Sequence, residues 1–334
     1  MRSGKIFYFS IALIVCLLIL IGGCAPTRRE AAVPQTALIA LKLVPQDSTK
    51  YRVTTEAQRT VKWDGPLPND VDSRQNRKCT KAEFIFTEQI QSSDDKGNAV
   101  AKITLEDLKY SSTIKGNTAL DFDSSRDKTS NNPFAKLVGK SYTIEIAPTG
   151  EVIKVIDVNE ALAAVKGQSS DNEMVLALLS PEAIKERHGV IVLPPTGKNQ
   201  LRIGDNWSDI KTFSFRFMGS KSYEKIYTVK EIKDANNHWI AVVDMNAIPS
   251  TKMAEQLHKE QTAASLSETF DSTGAYTGSL EFDLTAGKIE KYLEKLQLEW
   301  IAVDPNPSTG RKVQQEPAAL RLGAIRSYSL EKID

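Results

Sequence analysis

Alternation of apolar and polar residues, interrupted by turn signals, limits most strongly what this chain can fold into. Residues 296–300 (LQLEW) alternate with a period of two, which is the pattern of a half-buried strand. Residues 142–146 (YTIEI) alternate in the same way, and a Pro-Thr-Gly turn signal follows at 148–150. Such strands form antiparallel sheets with one buried face. We therefore predict mainly antiparallel β structure.

The strand prediction near the C-terminus has an alternative. Residues 288–298 are rich in Glu, Lys and Leu, which are good helix formers, so a helix is also compatible with them. Glu294 weakens the strand prediction, because it places a charge among the apolar side chains on one face. The alternation at 296–300 favours the strand.

One zone, residues 159–188, has helical character. Ser180-Pro181 is typical of a helix start, with a capping hydroxyl followed by proline at the first helical position, and Gly189 can end that helix. Residues 64–80 contain Gly, Pro, Asn and several charges, and predict a loop. We expect an α+β fold: mainly antiparallel β in two twisted β regions, with a small helical segment at about 159–188 packed on one side.

Composition and motifs exclude several classes of function. The 334 residues carry 43 Lys+Arg against 42 Asp+Glu, which gives no reason to expect nucleic-acid binding. Three His and three Cys are little material for a metal site, so no metal or cofactor is predicted. No nucleophile elbow, dinucleotide loop or phosphate loop occurs, so no catalytic residue is assigned.

The N-terminus has the pattern of an export signal. Arg2 and Lys5 are followed by an uncharged run from Ile6 to Ile21. A bilayer-spanning helix needs about 20 apolar residues, so this run is short for a permanent span and suits a signal peptide.

Residues 21–24 (IGGC), directly after that run, resemble the lipobox of bacterial lipoproteins. The resemblance implies cleavage between Gly23 and Cys24, a lipid on the Cys24 sulfur, and usually an acyl chain such as palmitate on the new N-terminus. It therefore implies a membrane-anchored protein of the bacterial cell envelope. Ala25, rather than Asp, favours the outer membrane facing the periplasm if the organism has an outer membrane. An uncleaved membrane anchor with an incidental cysteine and ordinary signal cleavage at another site are the alternatives.

These signals divide the chain into four segments. We predict a signal peptide at 1–23, a flexible tether at 24–36, a β-rich half with the helical insert at 37–195, and a second β-rich half at 196–334. In the processed chain Cys79 is the only free thiol, so packing rather than a disulfide must stabilise the fold.

The body of the chain resembles an uncharacterised family of secreted bacterial lipoproteins of unknown function. The resemblance rests on residues 137–146 (LVGKSYTIEI), 148–155 (PTGEVIKV) and 204–207 (GDNW), in this order. It implies a β-rich envelope fold and supplies no activity.

The sequence therefore predicts a non-enzymatic envelope lipoprotein that binds either an apolar ligand or another envelope protein. Core packing is the expected role of the tryptophans, and lining an apolar groove is the sharper alternative for Trp207, Trp239 and Trp300. An envelope enzyme with an unrecognised active site is the remaining alternative.

Overall fold

The computed structural model describes residues 34, 36–64, 75–127, 132–165, 170–189, 192–195, 197–215, 218–250, 270–303 and 319–333. Residues Pro34–Asp334 group into one compact unit. The predicted signal peptide and the predicted lipidation site, Cys24, lie outside the described residues, as does most of the predicted tether. These features, and the boundary between the two predicted halves, stay predictions.

The described residues form strands that are mostly long and are joined by short turns. Their bounds are β1 (Ala37–Leu38), β2 (Ser48–Asp64), β3 (Gln75–Ser93), β4 (Ala99–Ile114), β5 (Asn117–Asp123), β6 (Ser141–Ile146), β7 (Val152–Asp157), β8 (Gln200–Leu201), β9 (Asn206–Ser214), β10 (Ser220–Ala235), β11 (His238–Ser250), β12 (Asp271–Asp283), β13 (Lys288–Val303) and β14 (Ala319–Lys332).

One twisted, open antiparallel sheet contains twelve of these strands, in the order β7-β6-β4-β3-β2-β14-β13-β12-β11-β10-β9, with β5 also pairing with β4. The short strands β1 and β8 pair separately. Near the middle of the sheet, β14 pairs with β2 in a register that runs from Ala319↔Asp64 to Lys332↔Tyr51. The two predicted halves are therefore joined by direct strand pairing, and the predicted fold class is confirmed.

The predicted helical segment forms three short helices, α1 (Asn159–Ala164), α2 (Ser170–Leu178) and α3 (Pro181–His188). The Ser180 hydroxyl accepts a hydrogen bond from the Ala183 backbone N–H at 3.2 Å, so the predicted cap of α3 is confirmed. A 3₁₀ turn occupies Ala135–Leu137. Within the described ranges, no helix has the length and apolar character needed to cross a membrane.

Burial alternates along the strands, as the sequence predicts. On β13, Tyr292 and Leu296 are buried, whereas Leu293 between them is 40% exposed. On β3, Phe84 and Phe86 are buried on the face toward the helices. One face of the sheet thus carries the core. The helical alternative at residues 288–298 is wrong, because this segment is β13.

The predicted loop at residues 64–80 is wrong where the structure describes it. Asp64 ends β2, and β3 begins at Gln75 and continues to Ser93. Strand β3 pairs with β2 on one side and β4 on the other, so its backbone groups are satisfied, while the charged side chains of Arg77 and Lys81 are exposed to solvent. Pairing on both sides outweighs the polar composition of this segment.

Candidate functional site

A cavity of about 370 Å³ lies between α3 and the buried face of the sheet. Side chains of β2, β3, β9, β12, β13 and β14 line it together with Ala183, Glu186 and Arg187 of α3. The volume falls within the range of about 300–1,000 Å³ that is usual for small-molecule sites. The apolar part of its lining is formed by Ala82, Phe84, Tyr110, Leu178, Phe213 and Leu296.

Aromatic rings give this lining a defined shape. The Phe213 ring meets the Tyr276 ring edge to face, with centroids 5.5 Å apart and planes at 76°. Tyr223 contacts Tyr276 in the same way at 5.8 Å. Such edge-to-face pairs hold the rings in fixed orientations. The end of the cavity at β9 and β12 is therefore a rigid aromatic wall.

Arg187 brings a buried positive charge to the cavity. Only 7% of the residue is exposed, and its guanidinium lies 4.1 Å from the centroid of the Phe84 ring. It donates hydrogen bonds to the Tyr142 hydroxyl at 3.1 Å and to the Leu178 carbonyl at 2.7 Å. Among the described residues, no carboxylate forms an ion pair with Arg187.

Arg326 brings a second positive charge from the sheet. Its guanidinium lies 5.4 Å from the Phe213 ring and 5.5 Å from the Phe215 ring, and it donates to the Ser214 carbonyl at 3.4 Å. As with Arg187, no described carboxylate pairs with it. The Tyr328 hydroxyl, two residues along β14, donates to the Arg187 carbonyl at 2.8 Å. Both arginines therefore line the same cavity.

Glu294 is the centre of a buried polar cluster in the same lining, on the strand that pairs with the strand of Arg326. Its Oε2 accepts hydrogen bonds from the hydroxyls of Tyr276 at 2.6 Å and Tyr292 at 2.8 Å. Its Oε1 accepts from Lys211 Nζ at 3.3 Å. Three donors hold this carboxylate, which fixes its position in the wall.

Lys225 completes the cluster beneath the cavity. It is only 1% exposed, and its Nζ lies 3.3 Å from Asp209 Oδ2 and 4.0 Å from Glu294 Oε2. Burial lowers the pKa of Lys225, while the two carboxylates oppose that shift. Burial and the charge of Glu294 raise the pKa of Tyr276, so its hydroxyl keeps its proton and remains a donor.

His188 lies next to Arg187 at the end of α3 and packs into the core. Its Nε2 is 2.6 Å from the Tyr142 hydroxyl, and its ring meets Phe86 edge to face at 4.7 Å. Burial, and secondarily the charge of Arg187, holds the pKa of His188 well below its usual range. The imidazole is therefore neutral at neutral pH and serves packing.

The tryptophans follow the core-packing prediction more closely than the groove alternative. None of the four lines this cavity. Trp207 stacks on Tyr227 with centroids 5.0 Å apart and donates to the Val192 carbonyl, while Trp300 is buried against Phe215. The half-buried Cys79 donates from its sulfur to Glu56 at 3.5 Å, and burial raises the pKa of its thiol.

The sequence did not single out the residues that the cavity brings together. Arg187 and Arg326 are 139 positions apart and line one cavity only because β14 pairs beside β2 and α3 packs against β14. Glu294 did leave a local signal, because it interrupts an apolar face. In the described part of the chain, no group of His, Cys, Asp and Glu side chains is arranged to hold a metal ion.

Comparison with known proteins identifies a family without an assigned role. A family model described as "Family of unknown function (DUF6263)" matches residues 96–289, more than half of the chain. The predicted resemblance to an uncharacterised family is confirmed to this extent. No curated protein matches the sequence significantly.

Among solved structures, the chain is similar to one described as "Lipid-protein interactions in lipovitellin". The two share 10% sequence identity, and the match covers 87% of this chain and 25% of that one, with a TM-score of 0.35. The chain thus spans about a quarter of that protein. A likeness this distant supports no conclusion about function.

Proposed function

The chain belongs to the DUF6263 family of unknown function, and we propose that it is a non-enzymatic binding protein of the bacterial cell envelope that holds an apolar ligand beneath α3. The observation that carries this proposal is the cavity of about 370 Å³ with its apolar and aromatic lining. Ligand sites usually combine such a lining with a few fixed polar groups. Arg187 and Arg326 have that character here.

The cavity favours a ligand over the two alternatives. A protein partner would call for an exposed apolar surface rather than a hollow between a helix and a sheet. An enzyme would call for a polar group poised toward a substrate. Glu294 instead accepts hydrogen bonds from two tyrosines and Lys211, an arrangement that serves structure.

The envelope location belongs to the proposal through residues 1–24. The lipobox resemblance supports cleavage between Gly23 and Cys24, with membrane lipid attached through the acylated Cys24. A single acyl chain binds a membrane only marginally, at about 0.8 kcal/mol per buried methylene, whereas two or more hold a protein stably. The ligand-binding body would then lie near the membrane surface.

The predicted lipid anchor is tested by removing the Cys24 sulfur to which the lipid would be attached. In Cys24→Ser we expect complete loss of acyl labelling and accumulation of the unprocessed chain, because no thiolate remains to be lipidated. Metabolic labelling with an alkyne-tagged fatty acid, followed by mass spectrometry of the N-terminus, measures both. Cys79→Ser is the matched control and should label as the wild type does. Undiminished labelling of Cys24→Ser would overturn the anchor.

Ligand binding is tested by filling the cavity. Ala183 lines it from α3, whereas the exposed Ala177 on α2 does not. We expect an apolar ligand to co-purify with the full-length protein, Ala183→Trp to lose it, since the indole occupies its space, and Ala177→Trp to retain it. Mass spectrometry of extracts from the purified proteins measures the bound lipid. Equal retention by both variants would contradict the proposal.

A further inference from the structure

Two arginines of the cavity have no counter-ion, and this points to the charge of the ligand. Arg187 is 7% exposed, and the structure gives hydrogen-bond partners to two of its five N–H donors, both of them neutral oxygens. A buried cation without an acidic partner is costly to the fold. A bound anion would supply the missing charge and further acceptors.

Arg326 lies on the same side of the cavity. Residues two apart on a strand lie about 6–7 Å apart on one face. Tyr328, two residues after Arg326, donates to the Arg187 carbonyl, so Arg326 reaches the cavity from the strand that lies against the Arg187 backbone. Arg326 is also held against Phe213 and Phe215, which orients its planar group beside the aromatic wall.

The other charges of the lining do not neutralise these arginines. Lys211 pairs with Glu294, which also takes two tyrosine hydroxyls. Glu186 is exposed to solvent, and Glu56 accepts from the thiol of Cys79. Among the described residues, no carboxylate of the lining thus forms an ion pair with either arginine, and that role is left to a ligand.

We propose that the cavity takes an anionic single-chain amphiphile, whose oxyanion pairs with Arg326 in the same cavity that the buried Arg187 lines, while its chain lies along Phe84 and Leu296. This rests on the proposed function and adds the chemical class of the ligand. Guanidinium groups match carboxylate and phosphate geometry through paired hydrogen bonds. A free fatty acid and a lysophosphatidate share this chemistry, with one apolar chain and one anionic group.

The test uses the full-length protein in isolated membranes and two photoreactive probes, with a fatty amine of the same chain added for one variant. One is a fatty acid with a diazirine in its chain, and the other is the fatty alcohol with the same chain and no charge. Mass spectrometry measures the labelling of peptides that line the cavity. We compare the ratio of acid to alcohol labelling between variants, because differences in membrane partitioning then cancel.

Arg326→Gln should lower this ratio about tenfold, which corresponds to loss of a hydrogen bond to a charged group. Arg321→Gln is the matched control: it lies on the same strand but pairs with Asp64 and Glu299 outside the cavity, and its ratio should equal that of the wild type. Arg326→Glu should gain labelling by a fatty amine probe, and misfolding cannot produce that gain.

The outcomes distinguish failure of the anionic ligand from failure of the binding function. An unchanged ratio in Arg326→Gln, with the alcohol still labelling the cavity, would overturn the anionic ligand and leave the binding function standing. No labelling of cavity peptides by either probe would overturn both. Competition by unlabelled fatty acid or by lysophosphatidate supports the inference and shows which source binds better, whereas failure of both to compete with the acid probe would count against it.

Discussion

Two groups of charges lie in or next to the cavity, and they differ in whether each charge has a partner of opposite sign. Around Glu294, each charge has its counterpart: Lys211 pairs with the carboxylate, and Lys225 lies between Glu294 and Asp209. Arg187 and Arg326 pair with no described carboxylate. The first group is therefore part of the fold, because its charges are satisfied internally, whereas the proposed ligand would complete the second.

The largest effect expected from this comparison is on stability. Glu294→Gln keeps the shape of the side chain but removes a buried negative charge next to Lys225 and Lys211, so we expect the free energy of unfolding to fall by about 3 kcal/mol. Glu299→Gln, on the exposed face of the same strand, is the control and should change stability little, because exposed pairs contribute little. Urea unfolding measures both. Equal losses of unfolding free energy in the two variants would show that the cluster around Glu294 stabilises the fold no more than an exposed ion pair does.

A second expected effect concerns pH, and it tests whether burial next to Arg187 keeps His188 unprotonated. The pKa of His188 is lowered by burial, so the folded chain binds fewer protons than the unfolded chain, whose histidine titrates near about 6.5. Stability from neutral His188 is therefore present above that pH and is lost as the pH falls toward the lowered pKa, by at most about 1.4 kcal/mol per pH unit.

His188→Phe should remove this dependence, and the difference between the variant and the wild type is the measured quantity. Burial raises the pKa of Glu88 to about 7, which changes stability in the opposite direction over the same range. Both proteins carry Glu88, so its contribution cancels in the difference. Urea unfolding at several pH values between 7 and 5 measures the free energy of unfolding of both proteins. If it changed with pH equally in both, the role given to His188 would be contradicted.

The smallest expected effect is on stability in Arg326→Gln, and its contrast with Glu294→Gln distinguishes the two groups of charges. Arg326→Gln removes a cation that has no ionic partner, so the free energy of unfolding should change by less than about 1 kcal/mol, the contribution of its contacts with Phe213 and Phe215. Thermal and urea unfolding measure it. A loss as large as that of Glu294→Gln would mean that Arg326 belongs to the structural cluster.

The sequence predicted the fold class because local signals determine it. Period-two alternation at residues 296–300 lies within β13, and the Ser180 cap begins α3 as expected. The charged segment after Gln75 was misread as a loop, because its strand character comes from pairing with β2 and β4. That pairing is a long-range property that residue composition does not carry.

The candidate site was much harder to predict. Phe84, Arg187 and Arg326 come from distant parts of the chain, and each alone resembles an ordinary core or surface residue. Only Glu294, a charge on an otherwise apolar strand face, pointed locally to the cluster that surrounds it. The tryptophans were candidates for lining a groove, yet Trp207 and Trp300 pack in the core.

The most direct test of the account is a crystal structure of the protein grown with a long-chain fatty acid. We predict continuous density for one chain along Phe84 and Leu296, with the carboxylate about 3 Å from the guanidinium nitrogens of Arg326. A cavity that contains only water under saturating fatty acid, or a chain bound with its carboxylate away from both arginines, would contradict it.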